Sequence, residues 1–281
     1  MTAGEVQLLE SLARFPGLTA SGYRVLDPRE KSRRAFPHRL SRLCAESLVI
    51  TGPVGGPEQF YLGEKGLVFL AAVYGMEQKG LNWYLGWPVR ARQFRQEAKH
   101  NGIALEFMLR LAREKVLAAW DLAATRQEFH QVSSSSTIKG LRLVIFPDSV
   151  GALVTGTSRV MLFWLEVDRG TRSGKSLDWK LEKYFLAYRA RVASAPVPVI
   201  LYLVDTGKLL DEGRLRSVGR ILQGKAGMYP GSPLVVLLTT RDLVAGVASR
   251  PLVEARIWRI FRGGRLEAGL LSLAEAYGGG A

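Results

Sequence analysis

Apolar residues at Val6, Leu8, Leu9, Leu12 and Phe15 recur at helical spacing and stop at Pro16-Gly17, so the chain opens with an amphipathic helix. Thr19 is placed to cap a short second helix through Tyr23, Val25 and Leu26. A third helix is expected from Pro37, a residue that suits a first helical turn. It buries Leu40, Leu43, Cys44 and Leu48 and leaves His38, Arg39, Ser41, Arg42 and Ala45 on its other side. Leu48–Thr51 and Gln59–Leu62 then read as two short strands around the turn Gly52-Pro-Val-Gly-Gly-Pro57.

Beyond residue 80 the pattern changes. Aromatics, Gly and Pro in Asn82-Trp83-Tyr84-Leu85-Gly86-Trp87-Pro88 interrupt the helical spacing, and residues 81–100 read as a linker. Ile103, Phe107 and Leu111 start a long helix that runs to about Glu128, and Ser133–Ser136 is a polar loop. Two short apolar runs follow, Leu141–Phe146 and Val160–Leu165, each with strand character. An amphipathic helix over Leu177–Val192, buried-strand runs at Pro198–Val204 and Pro233–Thr239, and a basic helical stretch over Leu209–Leu222 complete the alternation. The predicted class is α/β (α+β): a winged helix-turn-helix over 1–80, then an α/β domain with a central mixed sheet over 101–281.

Charge sharpens this picture. Of 281 residues, 39 are Lys or Arg and 25 are Asp or Glu, for a net charge of +14 shared by both ends of the chain. Such a field draws polyanions, and nucleic acid is the leading partner; the alternative is a basic surface kept for solubility. In the winged-helix reading, helix three enters the major groove with His38, Arg39 and Arg42, while Arg33 and Arg34 meet the backbone. The competing view is a solvated helix face or a protein-contact domain. A single cysteine, Cys44, excludes an internal disulfide and suits a reducing compartment. With no secretory-type start and no apolar run near 20 residues, the expectation is a cytoplasmic protein with no membrane partner.

The chemistry-bearing residues lie at the ends of the two strand runs. Phe146-Pro147-Asp148 follows the first, and Glu166-Val167-Asp168 follows the second. Residues two apart in a strand share a face, so Glu166 and Asp168 project together with Trp164 behind them. If the strands pair, Asp148 joins them. Three carboxylates at close range repel by roughly 4 kcal/mol per pair at an effective dielectric near 20, so the cluster calls for a cation, with Mg²⁺ the usual choice. Arg169 and Arg172 follow immediately and suit phosphate. The plainer alternative is a surface salt-bridge network between those arginines and the two strand-end carboxylates.

This order of elements resembles the PD-(D/E)-x-K nuclease superfamily and, more narrowly, the replication-relaxation family of plasmids and conjugative elements. The carrying residues are Pro147-Asp148, Leu165-Glu166-Val167-Asp168-Arg169-Gly170-Thr171, and Lys180-Leu181 with Tyr184 one turn on, together with Tyr61-Leu62 and Lys65-Gly66 in the N-terminal part. The resemblance implies metal-binding positions at Asp148 and Glu166, with Asp168, Lys180 and Tyr184 completing the catalytic set. It also shows a departure: Asp168 stands where an active nuclease carries Lys. Lys180 or Lys183 on the next helix would have to supply that charge.

Other motifs fail. Gly170-Thr-Arg-Ser-Gly-Lys175-Ser176 follows a strand and precedes a helix like a phosphate-binding loop, but the first glycine of that pattern would fall on Arg169. His38, His100 and His130 lie far apart, and one cysteine builds no thiolate zinc site. The expectation is thus a DNA-binding protein of plasmid or mobile-element replication or transfer. It either nicks DNA with Mg²⁺ or is a non-catalytic accessory or regulatory factor. Other replication or conjugation proteins and a second copy of the chain are further candidate partners.

Overall fold

The computed structural model describes residues 1–15, 17–27, 35–52, 58–75, 98–121, 145, 147–155, 159–171, 174–191, 198–207 and 210–278. Among them are nine helices and ten strands, grouped into two compact units. Met1–Arg113 belongs to the first unit; Glu114–Trp120 and the sheet-forming residues from Ser149 onward belong to the second.

In the first unit, α1 (Ala3–Arg14) begins with a capping box in which Thr2 and Glu5 satisfy each other's exposed groups. Strand β1 (Leu18–Thr19) leads into α2 (Ala20–Leu26), whose cap is Thr19: its hydroxyl accepts from the Gly22 N–H at 3.1 Å. Helix α3 (Ala35–Ala45) starts two residues before Pro37 and ends before Leu48, which is buried all the same. Strands β2 (Val49–Thr51) and β3 (Gln59–Leu62) pair antiparallel, and β1 adds to the other side of β3, giving the order β1-β3-β2.

Helix α4 (Glu64–Val73), outside the sequence expectation, packs so tightly that a Cβ on Gly66 would lie 2.3 Å from the Leu48 carbonyl oxygen. Only glycine allows that approach. The next described helix, α5 (Ala98–Arg113), joins this unit, with Leu109 against Gly22.

The expected helix to Glu128 stops early. Lys115 takes a left-handed φ of 57°, and the chain continues as β4 (Leu117–Asp121) at the edge of the second unit's sheet. The Val116 carbonyl accepts from the Val154 N–H at 2.8 Å, so sheet pairing overrides the helical pattern there. Residues 122–128, and the run 82–88 read as a domain break, lie outside the described residues.

The second unit is a seven-stranded mixed sheet in the order β10-β9-β8-β7-β6-β5-β4. Strand β5 (Ser149–Thr155) is antiparallel to β6 (Arg159–Asp168), while β6, β7 (Val199–Val204) and β8 (Val236–Thr240) run parallel. A hairpin unforeseen in the sequence, β9 (Arg259–Arg262) and β10 (Arg265–Leu266), closes the other edge. Short helices α8 (Arg241–Gly246) and α9 (Leu273–Gly278) flank it in sequence. Strands β7 and β8 are buried at every position, as a parallel sheet covered on both faces requires.

Two long crossover helices cover one face: α6 (Gly174–Arg191) and α7 (Asp211–Met228). Leu177, Leu181, Tyr184, Phe185 and Tyr188 of α6 and Leu215, Val218 and Leu222 of α7 pack on Trp164, Ile200, Tyr202, Val204, Val236, Leu238 and Phe261. Lys225 of α7 ties the helices together, pairing with Asp178 at 2.7 Å and Glu182 at 2.9 Å on α6.

Candidate functional site

The first acidic element begins a strand instead of ending one. Asp148 immediately precedes β5, and the register Ser149↔Leu165 sets it beside the end of β6. Its N–H donates to the Leu165 carbonyl at 2.9 Å, and its Oδ2 accepts from the Val167 N–H at 2.8 Å. Asp148 thus extends the ladder with a side chain where another strand residue would supply a carbonyl. Of the run 141–146 expected as that strand, only Ile145 is described, and it carries no strand geometry.

Strand β6 continues through the second acidic element, so Glu166 and Asp168 are strand residues on the covered face. Both are buried, at 0% and 6% exposure, which overturns the reading of surface carboxylates held by Arg169 and Arg172. Their partners come from the crossover helices. Lys180 of α6 forms an ion pair with Glu166 Oε2. Arg214 of α7 grips Asp168 with two donors, Nε to Oδ2 at 2.7 Å and Nη2 to Oδ1 at 3.2 Å. Tyr202 OH and the Gly170 N–H each add a bond at 2.8 Å, the latter at a left-handed φ of 70° that glycine adopts readily.

The placement of Lys180 follows from repeat lengths. Helix α6 covers the face of β6 that carries Trp164 and Glu166. One turn of the helix and one pleat repeat of the strand nearly match: four helix residues rise about 6 Å and two strand residues about 6.6 Å. Lys180 therefore meets Glu166 while Tyr184 meets Trp164, their rings 5.8 Å apart. Tyr184, expected in the catalytic set, is a core residue at 1% exposure; its hydroxyl is buried with no hydrogen-bond partner.

The two carboxyls of β6 differ electrostatically. Burial pushes Glu166 up to about 8; Lys180 opposes the shift and the adjacent Asp148 charge reinforces it. Burial also acts to raise Asp168, but its bonds from Arg214, Tyr202 and Gly170 outweigh that and hold it below the ordinary carboxylate value. Tyr202 is driven far above the usual phenol value by burial and by the Asp168 charge.

The expected trio of carboxylates thus separates into a pair, Asp148 with Glu166, and an Asp168–Arg214–Tyr202 network whose tyrosine also feels the Glu166 charge. Among the described residues no three His, Cys, Asp or Glu side chains form a group able to hold a metal. The pair itself suits a divalent cation. Glu166 Oε1 is buried with no donor among the described residues, and its carboxyl interacts with that of Asp148, so the two acids call for a shared proton or a cation between them.

Arg214 and Tyr202 were not singled out from sequence. Tyr202 had a signal: it is the one polar-tipped residue in the otherwise aliphatic run Val199–Val204. Arg214 had none, being one of several basic residues along α7.

In the first unit, His38, Ser41, Arg42 and Ala45 are exposed on α3 as expected, and Arg39 is half-buried. Two arginines have partners within the unit. Arg42 forms an ion pair with buried Glu5 and lies 3.8 Å from Glu46, and Arg39 Nη1 reaches the Gly4 carbonyl at 3.5 Å. Arg33, Arg34 and Arg172 fall outside the described residues, and Arg169 is half-buried after β6. No described helix is long and apolar enough to cross a membrane. Compared with protein-family models, curated proteins and solved structures, the chain has no match.

Proposed function

We propose that the chain is a DNA-binding protein of plasmid or mobile-element replication or transfer, as its resemblance to the replication-relaxation family implies. Its second unit is proposed to carry a nuclease-type site for metal-assisted phosphodiester cleavage. One observation carries the reading: Lys180, fourteen residues from Glu166 and on another element, turns onto Glu166, whose carboxyl interacts with that of Asp148. Two carboxylates and a lysine, delivered by a strand hairpin and the following helix, constitute the charge set that phosphodiester hydrolysis uses.

Asp148 and Glu166 would hold Mg²⁺, which when bound neutralises phosphate charge and makes a coordinated water more acidic. Lys180, half-buried beside them, would place its ammonium against a phosphate oxygen once Glu166 turns to a cation. Asp168 belongs to the scaffold: of its four hydrogen bonds, two come from Arg214 of α7, one from Tyr202 of β7 and one from the Gly170 N–H. In the first unit, α1, α2 and α3 with the three-stranded sheet are the parts a winged helix uses, which supports duplex binding through α3 with His38 and Ser41 on its exposed side.

A second reading has its own support. Glu166 is wholly buried and paired with Lys180, as in a nuclease-like scaffold that binds DNA without cutting it. A Mg²⁺-dependent nicking assay on supercoiled plasmid separates the two. The catalytic reading expects nicking by the wild-type protein and its loss in Glu166→Gln, with metal-free DNA binding retained. Binding without nicking supports the second reading; nicking that survives the substitution overturns this site.

A further inference from the structure

We propose that Trp179 is a stacking platform for an unpaired base of a DNA strand, with Lys175 and Lys183 holding phosphate one helical turn to either side. The proposal rests on the nucleic-acid reading of this unit and deepens it, since it assigns single-stranded or locally opened DNA as the form engaged here.

Helix α6 is amphipathic in an unusual way. Its inner row, Leu177, Leu181, Tyr184, Phe185 and Tyr188, enters the core. One flank carries the helix's two acids, Asp178 and Glu182, and Lys225 takes both. The other flank carries Lys180, which Glu166 takes. The outer row is Lys175, Trp179 and Lys183, at four-residue spacing and so stacked along one line, each lysine about 6 Å along the axis from the tryptophan. With the acids turned to Lys225, the row presents two cations and one indole.

Trp179 is 47% exposed, yet it is held: the Lys183 ammonium lies 5.5 Å from its ring centroid, within cation–π range. A tryptophan that merely fills space would turn inward among the neighbouring Tyr and Phe side chains of α6. This one lies opposite them, and Lys180, one residue on, reaches the carboxylate pair from the adjacent flank. Aromatic rings flanked by cations bind single strands because every base has a face to stack, while duplex bases are already stacked on one another.

The test is fluorescence anisotropy of the full-length chain with a labelled oligothymidylate and with a blunt-ended two-strand duplex of equal nucleotide count, in metal-free buffer. Trp179→Ala is expected to weaken oligothymidylate binding roughly tenfold, the loss of one stacked base. Duplex binding should change less than twofold. Trp179→Phe, which keeps a ring, should recover most of the loss, and unchanged circular dichroism would show that both variants fold. If the wild type binds oligothymidylate and Trp179→Ala binds it equally well, the platform is wrong while the DNA-binding reading stands. An equal loss on both probes would make Trp179 a general contact and overturn its role with unpaired bases. If the wild type binds neither probe, the DNA-binding reading and this proposal fall together.

Discussion

Glu166 and Asp168 leave the same face of the same strand, two residues apart, and their surroundings drive them in opposite directions. Asp168 meets a guanidinium that supplies two donors, plus a phenol and a backbone N–H, and it stays an ordinary charged carboxylate at 6% exposure. Glu166 meets one ammonium and a second carboxyl, retains an unpartnered oxygen, and holds its proton up to about 8. A planar fork can saturate a carboxylate; a point charge cannot. The well-satisfied residue is scaffold and the under-satisfied one is the candidate for chemistry, although both derive from one tripeptide.

The largest expected effect breaks the satisfied half. Arg214→Ala leaves Asp168 charged and buried, and should lower unfolding stability in urea by about 3–5 kcal/mol. Arg214→Lys should restore only part of it, for want of the second donor. A loss below about 1 kcal/mol would mean that Tyr202 and Gly170 suffice to hold Asp168.

Titration distinguishes the two carboxyls by sign. Glu166 has its folded value raised from 4.5 to about 8, so the folded state retains a proton that the unfolded chain releases. Its contribution to stability is present below about 4.5 and declines as pH rises through about 8. Asp168 is depressed from 3.8, so its contribution is present above that value and is lost as pH falls through the lower folded value. Melting temperatures from acid to pH 9 in metal-free buffer should therefore show Glu166→Gln flattening the alkaline decline and Asp168→Asn flattening the acid limb. An unchanged alkaline limb in Glu166→Gln would place the raised titration elsewhere.

Lys180→Met should have an intermediate effect. It removes the charge that opposes protonation, and so moves the Glu166 titration further up. The same melting series reads this as an alkaline decline displaced to higher pH. An unchanged alkaline limb would show that the ammonium is not felt by Glu166.

The smallest effect is expected at Arg42, the exposed analogue of Arg214. Its pair with Glu5 leaves the arginine side chain 47% exposed, so Arg42→Ala should cost no more than about 1 kcal/mol. If α3 contacts duplex DNA through it, the salt dependence of binding should flatten by up to about one unit in slope. An unchanged slope in a titration against salt would remove Arg42 from the interface.

Local pattern was enough for elements whose signals were themselves local. The Thr19 cap, the pairing segments Val49–Thr51 and Gln59–Leu62, and the runs that became α6, β7 and β8 could be read within a residue or a few, because capping and periodicity act over one or two turns; α7 was placed, but it runs six residues past the expected end at Leu222. Elements owed to a distant partner could not. Lys115 ends a helix whose apolar spacing continues, because residues 117–121 complete a sheet edge. Ser149–Thr155, with glycine at 151, becomes a strand only because β6 lies beside it. The same division applies to the site. Alternation put Glu166 and Asp168 on one face, and that follows from the period of a strand. Lys180 was expected to bring its charge there from the next helix, and the matching repeats of strand and helix set it against Glu166. That Asp168 would receive a guanidinium fork depended on Arg214 arriving from α7, 46 residues on, a meeting that no one-dimensional spacing encodes.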